Sequence, residues 1–161
     1  MTSLLQINAS LNAGAGQSSQ LANQFVAAFR ERHPDANIVV RDVAADAVPH
    51  LSAERFGAFI AKHDERSAEQ HAVVAYSDAL IEELRAADVV VIGLPMYNFG
   101  VPSQLKAYFD HIARAGVTFK YTASGPVGQL TGKKVYVFAA RGGLYAGTPL
   151  DTQTSYVRDF L

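Results

Sequence analysis

The feature that most constrains this chain is a run of four β-branched residues at 89–92, followed by a break and then a helical pattern. Such a run is typical of a strand that is buried on both faces of a parallel sheet. Gly93 and Pro95 are expected to end the strand, because neither extends a central strand comfortably. Residues 96–100 are then a loop at its carboxyl end, where open α/β sheets bind ligands.

Hydrophobic periodicity predicts that strands and helices alternate along the rest of the chain. Strands are expected at Ser3–Asn8, 38–40, 89–92 and 135–140, and residues 117–121 alternate like an exposed strand, with turn residues at 124–126. Apolar repeats predict helices after residue 18, within 52–60, 73–84, 102–112 and 152–161. Ser18 or Ser19 is a candidate N-cap for the first helix. This alternation favours a doubly wound α/β sheet, with residues 1–161 as a single domain.

Composition excludes several classes of function. Fourteen basic and fifteen acidic residues leave a net charge of −1, which argues against a nucleic-acid or membrane surface. The absence of cysteine excludes disulfides, thiolate metal sites and a cysteine nucleophile. The N-terminus lacks a signal-like apolar stretch, so the cytoplasm is the expected location.

Three loops are expected to meet at the carboxyl edge of the sheet. Residues 10–18 lead into a helix N-terminus, where free amides and the helix dipole favour an anion. No Lys or Arg lies between Met1 and Gln24, so amides and hydroxyls would hold any phosphate there. The other two loops are 95–99 and 141–143. Each alone has an ordinary alternative, a strand-to-helix connection, an aromatic cap on a strand end or a simple turn.

Other catalytic and metal-binding patterns are weak. The glycines at 14 and 16 begin a dinucleotide-type pattern, but Ser19 replaces the third glycine and the run starts too far from the strand. Four histidines fall in loops or polar segments and are expected to be solvated, namely His33, His50, His63 and His71. His111 is expected at the surface or at an interface, and no histidine has the spacing of a metal site. A serine-hydrolase elbow is missing from the sequence.

Four segments together resemble the bacterial FMN-dependent NADH:quinone oxidoreductases, also called azoreductases. They are the 95–99 run PMYNF, the 115–122 run AGVTFKYT, the 10–18 loop with its Gln17-Ser18 pair, and Arg141-Gly142-Gly143. The resemblance extends over the whole chain. It implies a flavodoxin-like fold with strand order 2-1-3-4, bound FMN, and homodimers with both flavins at the subunit interface. It also implies hydride transfer from NADH or NADPH to FMN, then two-electron reduction of a quinone or azo compound.

The resemblance also implies roles for individual residues. Because a flavin supplies the redox chemistry, no catalytic acid or base is required on the chain. The FMN phosphate would contact Ser10, Gly16, Gln17 and Ser18. The ribityl chain and ring would contact Met96, Tyr97, Asn98 and Phe99, with Arg141, Gly142 and Gly143 at the other edge. The acceptor would meet Asn98 and Phe99. Residues 117–121 carry two aromatics on one side, which is costly to expose in a monomer, so Phe119 and Tyr121 are expected to help wall the flavin site of a second subunit, the alternative being a hairpin that packs on its own subunit.

Two departures from the family accompany the resemblance. Gly16 is often serine in relatives, which would remove one hydroxyl contact. The family chain continues past Leu161 with a fifth strand and a helix, so the strand at 135–140 is expected either to be an exposed sheet edge in this chain or to be paired by another chain. The alternative function is a non-catalytic flavodoxin-like FMN-binding or electron-carrier module, and a dinucleotide-binding domain is a more distant one.

Overall fold

A computed structural model describes residues 2–161, and its centre is a four-stranded parallel sheet. The strands are β1 (Ser3–Asn8), β2 (Asn37–Asp42), β3 (Val89–Pro95) and β6 (Lys134–Ala140), in the order β2-β1-β3-β6. This is the predicted 2-1-3-4 order. A separate antiparallel hairpin pairs β4 (Phe119–Thr122) with β5 (Gly125–Gly128). The sequence reading placed only a turn where β5 lies, because Gly and Pro dominate that strand.

Within residues 2–161, four α-helices lie between strands and a fifth follows β6, and together they cover both faces of the sheet. They are α1 (Gln17–Arg32), α2 (Ala53–Ile60), α3 (Ala68–Ala86), α4 (Ser103–Ile112) and α5 (Thr152–Phe160). Ser67 begins α3 with a capping box, since its hydroxyl accepts from the Gln70 amide and the Gln70 side chain accepts from the Ser67 amide. Every helix that apolar periodicity predicted is present.

The alternation of side chains along β1 and β3 divides the core into two layers. Leu4, Val89 and Val91 face α1 and pack with Ala22 and Val26. Residues at the intervening positions face the opposite layer, which is built from α3, α4 and α5 and includes Leu5, Val90, Ile92, Leu80, Leu105, Phe109 and Val157. The strand β3 is buried along its whole length, as its β-branched run predicted.

The predicted end of β3 was wrong at Gly93. The strand continues through Gly93, which pairs with Asn8 and Phe138, and ends at Pro95. A Cβ on Gly93 would lie 3.2 Å from the Ser18 carbonyl oxygen and 3.3 Å from Asn8 Oδ1. The glycine is therefore there for a close approach between α1 and the sheet, and it does not break the strand.

The edge position of β6 was predicted correctly. Val135, Tyr136 and Val137 are 39%, 40% and 38% exposed, and among the described strands only β3 pairs with β6. None of the helices within residues 2–161 has the length and apolar character that a bilayer crossing requires.

Four of the five histidines are exposed and the fifth is buried. His33, His50, His63 and His71 are exposed, as predicted. The prediction for His111 was wrong, because its side chain is fully buried and Nδ1 lies 2.9 Å from the Ala107 carbonyl oxygen. Burial and the nearby Arg55 lower the pKa of His111, although the Ala107 contact opposes them.

Candidate functional site

A cavity of about 260 Å³ lies at the carboxyl edge of β1, β3 and β6. Its walls come from all three predicted loops, because parallel strands end on the same side of a sheet. Eight of the residues proposed from the sequence line it, namely Ser10, Gly16, Gln17, Ser18, Met96, Tyr97, Arg141 and Gly142, together with Asn12, Pro95 and Ala140. The three loops predicted to meet at this edge therefore do meet there, and the contacts of their residues with a cofactor stay a prediction.

The first wall is the N-terminus of α1, and its details differ from the sequence prediction. The N-cap is Gly16, so Ser18 and Ser19 lie inside the first helical turn and cap nothing. Both side chains are buried, and neither hydroxyl has a hydrogen-bond partner among the described residues. Buried polar atoms are almost always paired. A hydroxyl beside free first-turn amides and the positive end of the helix dipole suits an anionic ligand oxygen.

At the same wall, Gly16 packs closely against Ser10. The Ser10 hydroxyl accepts from the Asn12 amide at 3.2 Å, and a Cβ on Gly16 would lie only 2.1 Å from Ser10 Oγ. The sequence reading treated this glycine as a lost hydroxyl contact. In this arrangement a side chain at position 16 requires Ser10 to move, so the glycine and the Ser10 rotamer belong together.

The second wall is a tight turn that follows β3. The amides and carbonyls of Tyr97 and Gly100 bond to each other at 3.2 and 3.0 Å, and the two residues between them have positive φ angles, 50° at Asn98 and 64° at Phe99. Asn tolerates this region, but a bulky residue such as Phe costs about 1–3 kcal/mol there. The phenol oxygen of Tyr97 accepts from the Leu11 amide at 3.0 Å and so joins this turn to the first loop.

The third wall is the start of the loop that follows β6. The cation that it carries, Arg141, is already paired within the fold. The sequence reading placed Arg141 at an edge of the ligand, but its guanidinium donates to Asp151 Oδ2 at 2.9 Å and to Thr154 Oγ1 at 2.7 Å. Desolvation raises the pKa of Asp151, but hydrogen bonds from Thr154 and Arg141 outweigh it, and the pKa is lowered overall. Two guanidinium nitrogens are thus bonded within the fold, Nε has no partner among the described residues, and the charge that Arg141 brings to the cavity is paired with Asp151.

Several predicted residues lie outside the cavity lining. Asn98 and Phe99 form the exposed tip of the turn, and Gly143 lies beneath Tyr145, whose ring carbon Cζ would be 3.0 Å from a Cβ at that position. Phe119 and Tyr121 lie on the separate β4–β5 hairpin, with their rings 5.3 Å apart.

Sequence reasoning missed Asn12, Tyr145 and Gln153. Tyr145 packs edge-on against Phe99 at 5.7 Å between ring centroids. The sequence signal for Tyr145 was only that an aromatic residue stands two positions after Gly143. No group of three or more metal-ligating side chains occurs within residues 2–161.

Comparison with known proteins assigns the family. A family model described as having a flavodoxin-like fold matches residues 2–161. The chain belongs to this flavodoxin-like family. The fold class and the family resemblance inferred from the sequence are both confirmed.

Within the flavodoxin-like family, similar proteins share one name. The chain is 58% identical over its whole length to an FMN-dependent NADH:quinone oxidoreductase of Cellvibrio japonicus and 60% identical to one of Burkholderia lata, and it covers 81% of each. Among solved structures, an azoreductase from Bacillus anthracis superposes with a TM-score of 0.89 at 32% identity, covering 99% of this chain and 80% of that one. A second structure, an FMN-dependent NADH-azoreductase from Bacillus anthracis in complex with FMN, gives a TM-score of 0.88 at 28% identity.

Proposed function

We propose that this protein is an FMN-dependent oxidoreductase that uses NADH or NADPH to reduce quinones or aromatic azo compounds. When bound, FMN supplies the redox chemistry by accepting a hydride from the nicotinamide and passing two electrons to the acceptor. The protein supplies binding, orientation and electrostatics. The relatives named above carry this activity in their names, and their similarity extends over the whole chain.

The observation that carries the proposal is the buried hydroxyl of Ser18, a residue that lines a cavity at a helix N-terminus and whose hydroxyl has no hydrogen-bond partner among residues 2–161. A terminal phosphate fits this place, because it can accept from Ser18 Oγ and from the free amides of the first turn of α1. Ser10, Gly16 and Gln17 complete the proposed phosphate site. FMN is favoured over FAD because the cavity offers one such anion site.

The loop that follows β3 would hold the rest of the cofactor. We propose that Met96, Tyr97, Asn98 and Phe99 flank the ribityl chain and ring, and that Arg141, Gly142 and Gly143 contribute at the other edge. For Arg141 this contribution is through the backbone, because the guanidinium bonds to Asp151 and Thr154. No side chain of this chain needs to act as a catalytic acid or base.

We also propose a homodimer and a cytoplasmic location. Tyr121 is 75% exposed and Val127 44% exposed on the β4–β5 hairpin, and such apolar exposure is costly in a monomer. Phe119 and Tyr121 would then wall the partner's flavin site. NADH and NADPH are cytoplasmic reductants, which favours that compartment.

The experiment that tests the function begins with the visible spectrum of purified protein after incubation with FMN and gel filtration. Retained flavin absorbance that bleaches on adding NADH without oxygen, and returns on adding a quinone, is the expected result. Steady-state kinetics should give parallel double-reciprocal lines, because both substrates use one exposed flavin face. Retained flavin that NADH does not bleach would instead support the electron-carrier module, and a colourless protein would refute both functions.

The dimer is tested separately by light scattering coupled to gel filtration. A mass of two subunits is expected. Tyr121→Ala should change the acceptor KM more than the Kd for FMN. A monomeric protein with full activity, or no kinetic effect of the substitution, would favour a hairpin that packs only on its own subunit.

A further inference from the structure

The feature that carries a further inference is a buried glutamine at the start of α5. Gln153 is 1% exposed, and its side-chain nitrogen donates to the carbonyl oxygen of Pro95 at 2.8 Å and to that of Gly100 at 3.0 Å. A carboxamide has two N–H donors, so one side chain accounts for both bonds. These two carbonyls lie at the two ends of the loop that follows β3.

The loop depends on such contacts because its own bonding is slight. One pair of hydrogen bonds between Tyr97 and Gly100 closes the turn, and Asn98 and Phe99 adopt positive φ angles that non-glycine residues rarely occupy. Phe99 is 48% exposed, so its edge-on packing against Tyr145 covers only part of the side chain. The hydroxyl of Thr152 donates to the Phe99 carbonyl. The first two residues of α5 thus hold three carbonyls of the loop, and Gln153 holds two of them.

The start of α5 is itself fixed to the third loop. Asp151 accepts from the Thr154 amide at 3.1 Å as the N-cap of α5, and its other carboxylate oxygen pairs with Arg141. Arg141 directly follows β6, so this network connects the loop after β6 to the loop after β3. A change at the start of α5 is therefore transmitted to two walls of the cavity.

We infer that Gln153 is a positioning residue, which acts through Pro95 and Gly100 to hold the 96–100 loop in its flavin-binding conformation. The inference rests on the proposed function for its consequence, the affinity for FMN. Its structural part, the conformation of the loop, is independent of any ligand. The two parts are tested separately.

The first test uses the protein without FMN. Gln153→Met keeps the length of the side chain and removes both donors, and hydrogen exchange at the Tyr97 and Gly100 amides is measured by NMR. Exchange at both amides should become about tenfold faster, because their hydrogen bonds open more often once the loop is released. The matched control is Ser77→Ala, which removes a buried hydroxyl that donates to the His111 carbonyl near the C-terminal end of α4 and accepts from the Arg114 guanidinium. Unchanged exchange in Gln153→Met, or equal acceleration in the control, would overturn the inference.

The second test measures the Kd for FMN by quenching of flavin fluorescence. Gln153→Met should raise the Kd about tenfold, because the buried carbonyl oxygens lose the donor that bonds to them. Ser77→Ala should leave the Kd within about twofold of the wild-type value. Gln153→Glu should give a pH-dependent Kd for FMN, which general destabilisation of the fold would not give. Its acid form can donate one hydrogen bond, so its Kd relative to wild type should improve from about pH 8 to about pH 5.5, whereas the ratio for Gln153→Met stays constant.

The outcomes separate the two proposals. Wild-type protein that binds no FMN refutes the proposed function, and the exchange measurement still decides the role of Gln153. Wild-type protein that binds FMN, with equal Kd values for wild type and Gln153→Met, refutes the positioning role alone.

Discussion

Replacing Ser18 by alanine should have opposite effects on the empty and the FMN-loaded protein. The Ser18 hydroxyl is buried and has no partner within residues 2–161, so it makes no stabilising hydrogen bond without a ligand. A bound phosphate oxygen would give this hydroxyl a hydrogen-bond partner. The substitution removes a single oxygen from a site where the backbone is already helical, and alanine is the best helix former.

The magnitudes follow from the environment of the hydroxyl. Burying an unsatisfied polar group costs about 1–3 kcal/mol, so Ser18→Ala should leave the free energy of unfolding of the empty protein unchanged or raise it by about 1 kcal/mol. A hydrogen bond to a charged group contributes about 1.5–3 kcal/mol. Losing it should raise the Kd for FMN about tenfold to a hundredfold.

The assay combines urea unfolding of the empty protein with fluorescence titration of FMN. Ser19→Ala is the matched control, because Ser19 is the next residue, is equally buried and also has a partnerless hydroxyl, but does not line the cavity. It should change stability as Ser18→Ala does and leave the Kd for FMN unaltered. Riboflavin, which lacks the phosphate, should bind wild type and both variants equally.

Two results would refute this reasoning. An unchanged Kd for FMN in Ser18→Ala would remove the phosphate from the N-terminus of α1. A similar loss of FMN affinity in Ser19→Ala would show that the effect comes from the helix as a whole and not from one hydroxyl.

Three further predictions concern the frame of the site. Gly93→Ala should lower the free energy of unfolding by about 1–3 kcal/mol and weaken FMN binding, because the added Cβ would press on the Ser18 carbonyl at 3.2 Å; unaltered urea unfolding would contradict it. Burial lowers the pKa of His111 below its usual 6.5, so the stability that its neutral form provides is full above about pH 6.5 and declines as the pH falls further. His111→Gln should flatten that part of the stability curve, and an equally steep curve would assign the pH dependence to other groups. The Kd for FMN should change less than about threefold between about 0.05 and 0.5 M NaCl, because no free Lys or Arg side chain lines the cavity; a steep salt dependence would point to a cation.

Local patterns predicted the elements that are stabilised by burial. The β-branched run of β3 and the apolar repeats of α1, α3 and α4 are periodic signals, and the core is built on those periods. The same rules erred at Gly93, where the residue propensity suggests a break. The actual reason for the glycine is the Ser18 carbonyl, 75 positions earlier in the chain, and a propensity contains no information about that neighbour.

The capping prediction for α1 failed for a related reason. Serine is the usual N-cap, so Ser18 and Ser19 were natural candidates, yet the cap is Gly16, two residues before Ser18, and the helix begins at Gln17. A serine that caps its own helix would have its hydroxyl satisfied. Because these two hydroxyls lie within the first turn, neither is used as a cap, and the Ser18 hydroxyl is left available for the proposed phosphate.

The pairing of Arg141 is a part of the site that the neighbouring sequence could not predict. An arginine beside two glycines at the end of a strand is typical of a cation presented to a ligand, and only the position of Asp151 shows that the charge is already paired. The pairing has a chemical consequence. With this cation neutralised and no charged residue before Gln24, a dianionic phosphate in the cavity has to be held by amide dipoles and hydroxyls, which have a defined direction and little long-range reach. Affinity then depends on how accurately the loops are placed, and this explains why Gln153, which bonds only to backbone carbonyls, matters to a site that it does not line.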